Sequence, residues 1–118
     1  MVHSADLNGA KLTGANLTSA NLTGASLGRA DLTGANLTGA DLYGAHLTRA
    51  NLGRANLTDA NLWGTNMTNA DLTGGTWIAA NSDVYSIFTG LRCPNGSTFA
   101  YGETNCGSAN KGGGWQGW

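Results

Sequence analysis

Few side chains in this sequence could do covalent or metal chemistry. The two cysteines, Cys93 and Cys106, both fall in the last quarter of the 118 residues. Their closeness suggests one short intramolecular disulfide if the protein meets an oxidising compartment. Such a bridge would close a loop of about a dozen residues and add roughly 3 kcal/mol of stability. A zinc site would need two further ligands, and His3 and His46 lie far off without ligand spacing. No metal or cofactor is expected. Hydrolytic and redox enzymes need polar groups converging in a concave pocket. No Ser/His/Asp, Cys/His or phosphate-loop pattern is present, so catalysis is not expected either.

The remaining candidates are binding residues, and they stand out by spacing. Tyr43 and Trp63 are twenty residues apart, and so are Arg29 and Arg49, with Arg54 one step further on. Two more aromatics, Trp115 and Trp118, end a glycine-rich tail. Exposed tryptophans in a free tail are costly, so this tail is expected either to fold back on the body or to dock on a neighbouring subunit. A separation of twenty matters only if the chain returns to the same face every twenty residues.

The rest of the sequence says that it does. From Ala5 onward the chain parses into uninterrupted fives: Ala5-Asp6-Leu7-Asn8-Gly9, Ala10-Lys11-Leu12-Thr13-Gly14 and so on through Trp77. The central positions are Leu7, Leu12, Leu17, Leu22, Leu27, Leu32, Leu37, Leu42, Leu47, Leu52, Leu57 and Leu62, then Met67, Leu72 and Trp77. On an α-helix a step of five turns about 140 degrees, so these residues would spiral round every side. On a flat strand, where side chains alternate, they would fall on both faces. The chain must therefore turn a corner within every five residues. Four such sides close a square, with leucine and the alanine two residues before it both pointing inward. Successive coils would then stack at the strand spacing of about 4.8 Å.

These fives resemble the pentapeptide-repeat family, whose pattern is Ala-(Asp/Asn)-Leu-X-X, and the resemblance covers about residues 5 to 79. It implies an all-β fold: a right-handed quadrilateral β-helix, a solenoid of just under four coils. It also implies a habit of dimerising or binding other proteins, and it brings no catalytic residues. Residues 1–4 would precede the solenoid, and residues 80–118 would form an irregular C-terminal cap and Gly/Trp-rich tail. The large apolar residues Ile78, Val84, Tyr85, Ile87, Phe88, Leu91, Phe99 and Tyr101 suit such a cap. The segment Cys93-Pro94-Asn95-Gly96 reads as a turn with proline at its second position. Together with the later cysteine it is similar to tails of some exported bacterial members.

With a coil of twenty, outward residues form vertical columns. Thr13, Thr18, Thr23, Thr33, Thr38, Thr48 and Thr58 suit extended backbone through their β-branched shape. Asn16, Asn36 and Asn56 are expected to hydrogen-bond up and down the stack as ladders. The Asn-Leu-Thr sequons that they and Asn21 create are by-products of the repeat. Tyr43 and Trp63 interrupt one polar column, either as a stabilising aromatic pair or as a contact face for a partner protein or a sugar. Arg29 and Arg49 interrupt another; they are expected either to pair with carboxylates such as Asp31 or to form an anion site.

Composition narrows the functions. Only 11% of residues are charged and the net charge is -1, which fits neither a phosphate-backbone binder nor a strongly acidic mimic of nucleic acid. The DNA-mimic role of topoisomerase-protecting family members is therefore disfavoured, all the more with Arg29, Arg49 and Arg54 set among the scattered aspartates. No nucleic-acid partner and no membrane span are expected. Two compartments stay open: extracellular or exported, which the cysteine pair favours, and cytoplasmic, on the lack of a recognisable signal peptide. Four residues before the repeat are too few to cover its first coil, so the exposed edge is expected to stack on another copy. The leading expectation is a structural protein that self-associates into a dimer or filament. The alternative is a monomeric protein- or glycan-binding module using the Tyr43/Trp63 face.

Overall fold

The computed structural model describes residues 4–77, 80, 82, 86–94, 96 and 98. Its backbone is built from one local unit. In each five, the N–H of the alanine closes a tight turn onto the carbonyl of the preceding leucine, as Ala10 does to Leu7 at 3.0 Å and Ala35 to Leu32 at 2.9 Å. The residue just before that position, which holds Thr65 and Gly75 in two repeats, has positive φ, between 66 and 73° at Gly9, Gly14, Gly24, Gly34, Gly39, Gly44, Gly64 and Gly74. A positive φ at the third position of a four-residue turn is the type II geometry, which glycine adopts without a steric penalty. The repeat thus supplies its own corner residue.

Four corners bring the chain back above itself. Parallel β-bridges join each residue at the second position to the one twenty further on, from Asp6 with Ser26 through Asn56 with Thr76. These bridges define four faces. The first carries Asp6, Ser26, His46 and Asn66; the second Lys11, Asp31, Asn51 and Asp71; the third Asn16, Asn36, Asn56 and Thr76; the fourth Asn21, Asp41 and Asn61. Each side is too short for a strand of successive bridges, so among the described residues the sheet consists of isolated bridges. Three inter-coil bonds per repeat hold a side: Ser26 N–H to Ala5, Leu7 N–H to Ser26 and Gly9 N–H to Gly28, at 2.9, 2.7 and 2.8 Å.

The interior is the expected column of leucine and alanine. Every leucine from Leu27 to Leu62, together with Met67, Leu72 and Trp77, is fully buried. At the alanine position Thr65 is also buried, and its hydroxyl is satisfied by the Leu42 carbonyl at 2.8 Å. The first coil is different: Leu7, Leu12, Leu17 and Ala20 are only partly buried.

Stacking does not stop at residue 79. Ile87 bridges Asn66 and Arg92 bridges Asp71, each twenty-one residues on. One extra residue is therefore accommodated between Thr76 and Ile87, after which the first and second faces continue. Phe88, Leu91 and Cys93, all buried, fill the inward sites above Met67, Ala70 and Leu72. The described part of the expected irregular cap is thus a continuation of the coil with other residue types. The expected turn follows, with Gly96 N–H bonded to the Cys93 carbonyl at 2.8 Å and Pro94 in second position. Among the described residues no helix is long and apolar enough to cross a membrane.

Candidate functional site

The outward side chains sort into those that complete the turn and those that do not. At the second position, the Asp or Asn Oδ1 accepts the N–H of the residue two further on: Thr18 to Asn16 at 3.2 Å, Thr38 to Asn36 at 3.0 Å, Tyr43 to Asp41 at 3.0 Å. Where that residue is threonine, its hydroxyl donates to the same oxygen in most repeats, as Thr33 does to Asp31 and Thr68 to Asn66, both at 2.6 Å. The expected asparagine ladders along Asn16, Asn36 and Asn56 are not formed. A short side chain reaches its own turn more readily than the next coil, and Oδ1 is spent there. A cross-coil side-chain bond does occur elsewhere, from Asn61 Nδ2 to Asp41 Oδ1 at 3.1 Å.

This arrangement sets the charges. Asp31 is held below its ordinary value of 3.8 by the hydroxyl and the amide of Thr33, with further help from Thr13 and the nearby Lys11. For Asp71, burial pushes the carboxyl up, but the hydroxyl and amide of Thr73 and the neighbouring Arg92 together bring it below its ordinary value. The carboxylates are thus committed to threonines, to Lys11 and to Arg92. The expected pairing of Asp31 with Arg29 or Arg49 is not made among the described residues, and Asp31 Oδ1 instead takes the amide and hydroxyl of Thr33.

Arg29 and Arg49 do come together. Both stand at the corner between the first and second faces, at φ of 58 and 61°, in the column that has Gly9 below and Asn69 above. They flank a shallow groove of about 380 Å³ lined also by Asn8, Gly28, Thr48, Thr68 and Asn69. Arg54 is not part of it. It stands at the next corner, where its Cγ lies 3.3 Å from where a Cβ on Gly74 would be. Of the other groove residues, Asn69 lies twenty beyond Arg49, Thr48 was read only as a column threonine, and Asn8, Gly28 and Thr68, which stand with Thr48 in the column one residue back, were not singled out in the sequence.

Tyr43 and Trp63 occupy adjacent coils of one column on the fourth face, linked through the Gly44 N–H bond to the Trp63 carbonyl at 2.8 Å. They are about half exposed, 53% and 48%, and Ile87 is exposed to 45%. Among the described residues these are the exposed large apolar side chains. Cys93 is fully buried. Cys106, Trp115 and Trp118 lie outside the described residues. His46 is exposed on the first face, and among the described residues no group of three His, Cys, Asp or Glu side chains could hold a metal.

The family described as pentapeptide repeats, in eight copies, matches residues 3–39 and 35–74. No curated protein matches the chain. Among solved structures, the pentapeptide repeat protein Rfr23 from the cyanobacterium Cyanothece 51142 is 35% identical, with 71% of this chain aligned to 60% of that one and a TM-score of 0.60. A pentapeptide repeat protein from the Arabidopsis thaliana thylakoid lumen is 29% identical, over 76% of this chain and 62% of that one, with a TM-score of 0.53. QnrB1, a plasmid-mediated fluoroquinolone resistance protein, shares the fold at 20% identity, over 75% of this chain and 47% of its own, with a TM-score of 0.59. The chain thus spans three-fifths or less of the length of two of these structures and 62% of the third. Pentapeptide repeat proteins form right-handed quadrilateral β-helices, the fold class that the four bridged faces display. By its repeats, its square coil and its match over residues 3–74, the chain belongs to the pentapeptide-repeat family.

Proposed function

We propose that this protein is a non-enzymatic structural scaffold that self-associates through the exposed edge of its first coil into a dimer or filament. The observation that carries the reading is the half-buried state of Leu7, Leu12 and Leu17, where the same positions higher in the stack are fully buried. Among the described residues, the backbone edge around them takes no bond from a further coil. Higher up, second-position amides such as Ser26 and Asp31 donate to the coil below, whereas those of Asp6, Lys11 and Asn16 have no described coil beneath them. An open apolar core ringed by such groups is a template for another coil. A disulfide between Cys93 and Cys106 belongs to the same proposal. Cys93 occupies an inward site, and no free thiol occurs among the described residues.

Sedimentation velocity over a concentration series tests the reading. Mass should grow with concentration, and Leu12→Glu, which places a charge in the exposed end, should abolish the growth while leaving the coil's circular dichroism intact. A constant monomer mass in the unaltered protein overturns it. A second reading rests on a different observation: the exposed Tyr43 and Trp63 on adjacent coils suit a protein or sugar-ring contact. Loss of a ligand in a Tyr43→Ala, Trp63→Ala variant that still self-associates would assign the binding to that face.

A further inference from the structure

Two features of the Arg29/Arg49 corner are not required by the fold. The first is conformational. Both arginines sit at positive φ, where a side chain with a Cβ is disfavoured and where glycine serves the same turn at Gly9 and Gly90 in the same column. The second is electrostatic. Two like charges are stacked on adjacent coils, and neither guanidinium forms an ion pair or side-chain hydrogen bond with any described residue. Asp31, on the neighbouring face, is held by Thr33.

The groove between them is built to stay open. Gly28 stands where most repeats have threonine, and a Cβ there would meet Asn8 Oδ1 at 2.8 Å. Asn8 is pinned, its Oδ1 taking the Gly28 N–H at 2.8 Å and its Nδ2 donating to Asp6 at 3.0 Å. On the next coil Thr48 follows His46 instead of an aspartate or asparagine. Its hydroxyl therefore lacks the oxygen two residues back that occupies Thr33, Thr38 and Thr68.

We infer that this groove binds a doubly charged oxyanion, a phosphoryl or sulfuryl group, clamped between the guanidiniums of Arg29 and Arg49 with the Thr48 hydroxyl as a further donor. Guanidinium forks match the oxygen spacing of such groups and bind them through paired charge-assisted hydrogen bonds. A dianion also neutralises both cations and relieves their mutual repulsion, which a single carboxylate does only by half. The groove volume of about 380 Å³ leaves room for an organic group attached to the anion.

The test is a titration of the isotopically labelled protein at about pH 7.5, where phosphate monoesters are mostly doubly charged. Inorganic phosphate, sulfate and phenyl phosphate are added at an ionic strength held constant with sodium chloride. The Nε–H signals of Arg29 and Arg49 and the amide signals of Thr48 and Asn69 should shift saturably, while those of Arg54 stay in place. In Arg29→Gly, Arg49→Gly, which puts at the corner the residue used elsewhere in its column, the Thr48 and Asn69 shifts should lose saturation. Arg29→Lys, Arg49→Lys keeps the charge and should raise the half-saturating concentration about tenfold. Tighter saturation by phenyl phosphate assigns an oxyanion carried on a larger molecule, and equal saturation assigns the free ion. Shifts that are linear, that match those in chloride alone, or that survive in the glycine variant overturn the site.

Discussion

At the residue scale, one oxygen does most of the work outside the core. The second position alternates between aspartate and asparagine because both present an Oδ1 to the turn, and the charge is incidental to that task. Asn66→Ala removes bonds from the Thr68 amide and hydroxyl and should cost about 1–2 kcal/mol, since each such bond is worth about 1 kcal/mol. Asn66→Asp should cost much less, a difference readable in urea melts. The charged members matter in acid. Asp31 and Asp71 both titrate below 3.8 in the folded state, so their stabilisation is complete above that value and is lost as pH falls through the lowered folded values. Asp31→Asn, Asp71→Asn should therefore melt near the parent at pH 7 and lose less melting temperature than the parent once the pH drops below about 4. At the corners the sign reverses. A side chain at positive φ costs roughly 1–2 kcal/mol, against about 0.5–1 kcal/mol for the extra freedom glycine brings to the unfolded chain. Arg29→Gly should thus stabilise the fold by about 0.5–1 kcal/mol, a gain in a chemical-denaturation midpoint at the expense of the groove.

At the element scale, the unit is the coil, and its energy depends on having a neighbour on each side. Leu47 lies fully buried with coils above and below, and Leu47→Ala should cost about 3–5 kcal/mol in transfer and cavity terms. Leu7 makes the same local turn but is only partly buried, so Leu7→Ala should cost clearly less, about 1–2 kcal/mol at a concentration where the protein is monomeric. The pair of equilibrium melts checks whether stability is built coil by coil, as expected of a solenoid. Equal costs at the two sites would mean that the first coil is covered in solution. The same nearest-neighbour logic explains how the stack survives the extra residue between Thr76 and Ile87: once it is absorbed, Ile87 and Arg92 find the next backbone edge and pairing resumes.

At the scale of the whole molecule, the described coils share one closed interior whose burial falls off at the first coil. If that coil is covered by a second copy, folding and association are linked. The melting temperature should then rise with protein concentration in the parent and become independent of it in Leu12→Glu, as mass action requires. Differential scanning calorimetry across a tenfold or larger range of concentration would read this directly. A concentration-independent melting temperature in the parent would remove the association reading without touching the fold.

Much of this was legible in the chain as written. Leucine every five residues excludes helix and flat strand alike, because only a corner in each repeat keeps Leu27, Leu32 and Leu37 inside together. A coil of twenty correctly placed Tyr43 beside Trp63 and Arg29 beside Arg49. Those are local decisions made identically in every repeat, so periodicity alone determines them. What the columns could not say is which partner a side chain takes. Asn16 and Asn36 bond within their own turns instead of laddering, and Asp31 serves Thr33 and leaves the arginines unpaired. The continuation through Phe88, Leu91 and Cys93 was also hidden, since one added residue breaks the count of five and the inward sites change type. Periodicity in sequence reports where a side chain points. Only the tertiary structure decides what it meets, because the competing partners lie two residues away along the chain or a full coil away through space, and distance and geometry choose between them.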